Sequence, residues 1–261
     1  MKAIPFAQLE VERLEPGTKG GWMLEDRATE PAVTMPFHYV KGRDDGTVLL
    51  ILAAVHGDEY EGVQTVLELI REFEPDDLRG TLLLVPVTNT AAYAAKARVT
   101  PVDGKNLARV FPGNPEGTYS ERLAWLITER LIAKADFLLD LHSGGYFFRL
   151  PPLVGYDHTD TEAGRRSRAA AEAFGMEIVW GHPAVAPGPT LQAARRHGVP
   201  WLYTEGSGGL RVNRAEQQRY KQGAVNLMEH LGMLQPHVAA ARERKPFTIR
   251  HRLYGMGNLD A

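Results

Sequence analysis

Apolar positions along this chain fall into two alternating kinds of segment. Largely apolar runs at Val48 to Val55, Thr81 to Val87 and Phe137 to Leu141, with shorter ones at Glu177 to Trp180 and Val199 to Thr204, have the length and side chains of strands covered on both faces. Between them lie segments with helical spacing. Val63, Val66, Leu67, Ile70 and Phe73 form one stripe over Glu61 to Phe73, which Pro75 ends. Leu123, Leu126, Ile127 and Leu131 form a second stripe, opened by a capping-box pattern at Thr118 and Glu121. Thr159 and Glu162 predict the start of another helix that closes near Gly175. Asn213 and Glu216 open a last long helix running to about Leu231, with Gly232 at its end.

Irregular segments carry their own expectations. Gln8 to Gly42 is broken by Pro16, Gly17, Gly20, Gly21, Pro31 and Pro36, which predicts one or two short edge strands, Val33 to Val40 being the most strand-like part. Pro86 places the Thr81 to Val87 strand near an edge or ends it early. Asn89 to Gly117 is a long loop with enough apolar anchors to be ordered, and a loop of that length in a compact domain tends to be functional. The proline-rich Gly181 to Pro189 is a rigid loop suited to walling a pocket. The basic tail Arg242 to Arg252 reads as a solvated end with one added strand. Strands alternating with helices predict an α/β fold: a mostly parallel, mixed sheet with helices on both faces.

Composition narrows the function more than the fold. With 261 residues, 44% hydrophobic and 24% charged, the chain can bury an ordinary globular core without staples. Thirty basic and 32 acidic residues give a net charge of −2, which offers no footprint for a nucleic-acid backbone and favours a small-molecule substrate. No run approaches membrane length and the N-terminus has no signal-peptide pattern, so the expected location is cytoplasmic, while the oligomeric state is not written in the sequence. The chain has no cysteine, so a metal would have to be held by imidazole and carboxylate.

Candidate ligands stand at strand ends. His56, Asp58 and Glu59 follow the first strong strand, His142 the third and Glu205 the last, and open α/β sheets bind ligands at that edge. A His and a Glu three residues apart can reach one ion if a third ligand arrives from elsewhere, although such a pair alone more often caps a helix. Two His and one Glu with a separate Glu nearby form the inventory of a catalytic zinc site with an open position for water. A carboxylate beside that water would act as general base, an effect typically worth ~10² to 10⁴ in rate. Ser143 lies in no nucleophile elbow, and the Gly206 to Gly209 run has no Lys-Ser/Thr pair to make it a phosphate loop. The remaining histidines show no ligand spacing, and of these His182 alone lies in a segment suited to bordering the pocket.

HGDEYEG at His56 to Gly62, DGKNLARVFPG at Asp103 to Gly113, DLHSGG at Asp140 to Gly145 and TEGSGG at Thr204 to Gly209 together resemble the succinylglutamate desuccinylase/aspartoacylase family, which belongs with the zinc carboxypeptidases in fold. The resemblance implies one zinc ion on His56, Glu59 and His142, with Glu205 as general base and later proton donor. It implies that Arg98 polarises the scissile carbonyl and that Arg109 grips a substrate carboxylate beside Asn106. The reaction implied is hydrolysis of the amide bond of an N-acyl amino acid or related small acylated amine. A zinc carboxypeptidase acting on peptides is the near alternative, and a non-catalytic metal-binding or ligand-binding protein is the alternative of another class. Two departures bear on the substrate. Ala108 stands where relatives carry an Asn that helps hold the carboxylate, and the chain stops soon after Arg252, where many relatives continue into a β-rich C-terminal domain. The expectation is therefore a single catalytic domain over residues 1–261 with a more open site.

Overall fold

The apolar runs become the middle of one mixed sheet. The computed structural model describes residues 1–241 and 248–255, so residues 242–247 of the basic tail lie outside the described residues. The strands are β1 (Ala3–Pro5), β2 (Thr18–Asp26), β3 (Val33–Lys41), β4 (Asp44–Ala53), β5 (Arg79–Val85), β6 (Phe137–Leu141), β7 (Leu153–Asp157), β8 (Ile178–His182), β9 (Trp201–Glu205) and β10 (His251–Tyr254). They lie in the order β1-β2-β3-β5-β4-β6-β9-β7-β8-β10. The central run β5-β4-β6-β9 is parallel throughout. Antiparallel pairings join β2 to β3, β3 to β5 and β7 to β9.

The helices are α1 (Glu61–Glu72), α2 (Thr90–Ala95), α3 (Tyr119–Arg130), α4 (Glu162–Phe174), α5 (Thr190–Arg196), α6 (Arg214–His230) and α7 (Pro236–Ala241). Alternate side chains of a strand point to opposite faces. Leu50, Leu52, Leu138 and Trp201 accordingly pack with Leu123 and Ile127 of α3 and Ala193 and Ala194 of α5. Leu49, Ile51, Leu139 and Leu202 pack on the other face with Val66 and Leu69 of α1, Phe174 of α4 and Tyr220 and Ala224 of α6. Burial on both faces is why these strands read as continuous apolar runs rather than alternating ones.

Several expectations are corrected. The N-terminal strands are neither short nor both at the edge: β2 and β3 have nine residues each, and β3 lies inside the sheet between β2 and β5. Gly20 and Gly21, which read as turn signals, pair across the strands with Tyr39 and His38. Pro86 ends β5 early, at Val85, but β5 is flanked by β3 and β4 rather than lying at an edge. The cap of α4 is Thr161, whose Oγ1 accepts the Gly164 N–H, while Thr159 bonds to the Thr161 hydroxyl. β7 is hidden in the sequence because Pro151, Pro152 and Gly155 mark turns by composition, yet all five of its residues are buried against β9 and β8. The added strand of the tail is β10, parallel to β8.

Candidate active site

Three neighbouring parallel strands, β4, β6 and β9, end on one edge of the sheet, and each hands the chain to polar residues that are largely buried. At the end of β4 the chain turns sharply through Ala54, whose φ of 51° is unusual for a residue with a side chain. Asn89 N–H bonds to the Ala54 carbonyl and Thr88 N–H to that of Ala53, so this turn is held by the segment after β5. Gly57 then passes so close to α2 that a Cβ there would lie 2.0 Å from the Ala92 carbonyl carbon. That approach lets the Gly57 N–H reach the Ala97 carbonyl at 2.9 Å and ties the turn to the loop bearing Arg98.

The turn delivers His56 and Glu59, which are 1% and 3% exposed, into contact with His142. His56 Nδ1 lies 2.9 Å from Glu59 Oε1 and His142 Nδ1 lies 3.1 Å from Glu59 Oε2. One donor atom from each of the three residues falls within 4.8 Å of the others. The Arg98 guanidinium donates to Glu59 Oε1 at 3.2 Å and the Ser143 N–H to Oε2 at 3.1 Å.

Each imidazole also has a polar partner at its other nitrogen. Asn106 Oδ1 accepts the Ala108 N–H at 2.9 Å, so it is the oxygen of that amide, and His56 Nε2 at 3.1 Å must donate to it. Asp140 Oδ2 lies 3.1 Å from His142 Nε2 and can only accept when ionised. With both rings neutral, the two Nδ1 lone pairs and the Glu59 carboxylate make a set of converging acceptors that either a proton on His142 or a shared divalent cation satisfies. The donor set fits a divalent metal on this ground. Burial alone would push the Glu59 carboxyl up, but His56 and His142 outweigh it and hold it well below the usual carboxylate range. Burial opposes charge on His142, yet Asp140 and then Glu59 raise its pKa well above the ordinary imidazole value. A proton is held tightly where a metal would compete for the same lone pair.

Glu205 ends β9 beside this cluster. Leu141 pairs with Thr204, so His142 and Glu205 are the next residues along adjacent parallel strands, and such strands lie roughly 4.8 Å apart. Thr204 Oγ1 and Tyr220 Oη both donate to the His142 carbonyl, at 3.3 and 2.7 Å, which fixes the strand ends together. Glu205 is 6% exposed, and burial followed by the charge of Glu205 raises the Tyr220 pKa well above its ordinary value.

The structure also places the other residues singled out in the sequence. Arg98 sits at Glu59 and under the Phe148 ring, 5.2 Å from its centroid. Asn106 faces His56 through its oxygen, and Arg109 lies in the same turn, half-buried, with Nη1 donating to the Ala108 carbonyl at 3.0 Å. Gly188 of the proline-rich loop covers that turn, its carbonyl accepting the Phe111 N–H at 2.8 Å. Two acids at strand ends acquire roles that their positions in the sequence do not announce. Asp58 Oδ2 accepts the Tyr146 N–H at 2.8 Å and lies against Gly145, where a Cβ would come within 2.4 Å of it and φ is 55°, so Asp58 clasps the loop after His142 to the loop after β4. Asp140 is the other. A carboxylate two residues before a candidate His ligand on a strand is the available signal, since period two puts both on one face.

His182 lies in β8, buried, with Nε2 2.8 Å from Tyr203 Oη and its ring stacked on Trp180. Burial first, and Arg195 second, push its pKa down to about 4, against an ordinary 6.5. Between those values the unfolded chain binds the proton and the folded one does not, so stability rises with pH there and is lost as pH falls through the window. The full effect is about 3 kcal/mol between neutral pH and pH 4. Urea unfolding of wild type and His182→Gln at the two pH values should show a smaller acid loss in the variant, and equal losses would sink this account.

The profile of the succinylglutamate desuccinylase/aspartoacylase catalytic domain matches residues 45–231, a span that holds His56, Glu59, His142 and Glu205. The chain belongs to this family. It is 34% identical over 215 residues to N-alpha-acetyl-L-2,4-diaminobutyric acid deacetylase of Halomonas elongata, covering 80% of this chain and 62% of that relative, so it spans about three fifths of the relative's length. Among solved structures, the ectoine utilization protein EutE (DoeB) of Ruegeria pomeroyi, described as product-bound, superposes with a TM-score of 0.83 at 27% identity over 94% of this chain and 74% of that one. A succinylglutamate desuccinylase/aspartoacylase of Rhodobacter sphaeroides gives 0.82 at 26% identity over 96% and 76%. Membership of this family confirms the mostly parallel α/β sheet and the resemblance carried by the four motifs. No helix among the described residues is long and apolar enough to cross a membrane.

Proposed function

We propose that this member of the family is a zinc-dependent deacylase that hydrolyses the amide bond of an N-acyl amino acid, with N-acetylated diamino acids as the first substrates to test. The observation that supports it most is the approach of His56, Glu59 and His142 within 4.8 Å beside the buried Glu205. Two imidazoles and a carboxylate with no thiolate suit zinc and leave a coordination position open. A divalent ion held there supplies Lewis acidity toward the amide carbonyl and makes a water nucleophilic near neutral pH. Glu205 takes the proton from the attacking water and returns it to the leaving nitrogen. Arg98, already beside Glu59, holds positive charge where the carbonyl oxygen gains negative charge. Arg109 docks the substrate carboxylate. Asn106 spends its oxygen on His56 and keeps its amide N–H groups for the substrate.

The test is elemental analysis of the purified protein, then acetate release from N-acetyl-L-2,4-diaminobutyrate and a panel of N-acyl amino acids. Zinc near one per chain with acetate release supports the reading. Amino acids released from peptides with no acetate release would make it a carboxypeptidase, and neither activity in a zinc-loaded protein would make it a binder.

Arg109→Ala separates the docking role from the chemistry. A hydrogen bond to a charged group is worth ~1.5 to 3 kcal/mol, so KM for acyl amino acids should rise roughly 10- to 150-fold, with kcat changing far less. An unchanged KM removes Arg109 from the substrate site.

A further inference from the structure

The structure assigns Asp140 a role beyond the metal ligands and the general base: with Thr190 as its buttress, it is the positioning residue that holds His142 as a metal ligand and strengthens the site's grip on the ion. The inference rests on the metal-centre reading above. The fold makes the arrangement possible in three steps. Asp140 and His142 stand two residues apart where β6 runs out, so both side chains leave the same face of the sheet. Asp140 Oδ2 then meets His142 Nε2 at 3.1 Å while Nδ1 of the same ring faces Glu59. Thr190, the first residue of α5, donates its hydroxyl to the same Oδ2. Thr190 is 2% exposed and Asp140 is fully buried, so the carboxylate has no freedom to swing away.

Stability alone does not explain an acid at this position. Asp140 lies in the central strand between Leu139 and Leu141, opposite Leu52 of β4 and Tyr203 of β9. Its Oδ1 is buried without a hydrogen bond. Burying a carboxylate costs several kcal/mol even when it is paired, and an apolar residue of similar size would serve the core better. What the carboxylate does supply is a charged acceptor beside Nε2, shared with the Thr190 hydroxyl, that favours the proton of the neutral ring on Nε2. With a cation in place of a proton at Nδ1, this would hold the ring as the Nε2–H tautomer, keep the Nδ1 lone pair on the side of Glu59 and make the ring a stronger donor to the ion. The two imidazoles are not equivalent in this respect. His56 leans on the neutral amide of Asn106 and His142 on a charged carboxylate, so the Asp140 arm contributes the greater share of the basicity.

The experiment measures the metal, not turnover. Zinc affinity of wild type, Asp140→Asn, Asp140→Ala and Thr190→Val is determined by competition with a chromophoric chelator, together with the visible spectrum of the cobalt-substituted proteins and the thermal stability of the metal-free forms. Loss of an outer partner of a ligating His typically costs 10- to 100-fold in metal affinity. That range is expected for Asp140→Ala. Asp140→Asn, which keeps an acceptor but no charge, should fall nearer the lower end with an altered cobalt spectrum, and Thr190→Val should weaken binding in the same direction by less. Metal-free stability should hold in Asp140→Asn or rise. Zinc affinity within twofold of wild type in both Asp140 variants, whatever happens to stability or activity, overturns the proposal. Should neither Asp140 variant fold, Thr190→Val decides it: weakened zinc binding with the metal-free fold intact supports the role, and unchanged binding overturns it. A wild type that binds no zinc fails the metal centre itself, and an inactive wild type that binds zinc fails the deacylase reading while leaving this test valid.

Discussion

Glu205→Gln should abolish most turnover while leaving the metal in place. Glutamine keeps the shape of the side chain and removes the proton acceptor, so kcat should fall by about 10² to 10⁴, the usual worth of a positioned general base. Glu205 lies outside the group whose donor atoms converge, so zinc content should stay near that of wild type. The residue is buried at the end of β9, next to Tyr220, whose hydroxyl holds the His142 carbonyl. Removing its negative charge relieves one of the influences that raise the Tyr220 pKa, the leading one being burial, so the fold should tolerate the change. Steady-state kinetics with acyl amino acids and metal analysis of the same sample check this. A variant that turns over at the wild-type rate would end the case for Glu205 as the base.

Glu59→Gln should have the opposite signature, with metal lost first and activity with it. The Glu59 carboxylate faces both Nδ1 atoms and also receives the Arg98 guanidinium and the Ser143 N–H. Loss of a ligand should weaken zinc binding by more than the 10- to 100-fold typical of an outer partner. The metal-free protein should also suffer, because Arg98 loses the charge of Glu59 at a site where its side chain is only 14% exposed. Breaking a buried ion pair by removing one member typically costs ~3 to 5 kcal/mol, toward the lower end here because Arg98 keeps its stacking on Phe148. Elemental analysis and urea unfolding of the metal-free forms test both halves. Stoichiometric zinc retained in Glu59→Gln would refute its role as a ligand.

Arg98 connects the two predictions. It donates to Glu59 Oε1, the oxygen that also faces His56. Under the proposed function a divalent ion in the site would compete with Arg98 for Glu59, and the guanidinium, 5.2 Å from the Phe148 ring centroid, would then serve the developing charge of the substrate oxygen.

Much of this molecule is legible before folding is considered. The runs at Val48 to Val55 and Phe137 to Leu141 become the core of β4 and β6 because burial on both faces favours apolar residues, Asp140 being the exception. The stripe from Val63 to Phe73 and the capping box at Thr118 and Glu121 specify α1 and α3 by local rules alone. His56, Glu59, His142 and Glu205 stand out because each comes at the end of such a strand. Where the sequence misleads, local chemistry is overruled by neighbours: Gly20 and Gly21 lie within a nine-residue strand, and β7 forms beside prolines because β8 and β9 flank it.

By itself the sequence determined which residue types were present and roughly where the central strands β4, β5, β6 and β9 lie, because hydrophobic period and capping act over a few positions. Only the tertiary structure decided that β4, β6 and β9 are neighbours, and thus that groups as far apart in sequence as His56 and His142 meet on one carboxylate. The same holds for the partners behind the imidazoles: Asn106 and Asp140 acquire their orienting contacts from distances that sheet order and side-chain alternation set. Strand order is fixed by the packing of whole faces against helices, a sum over many weak contacts that no short stretch of the chain contains.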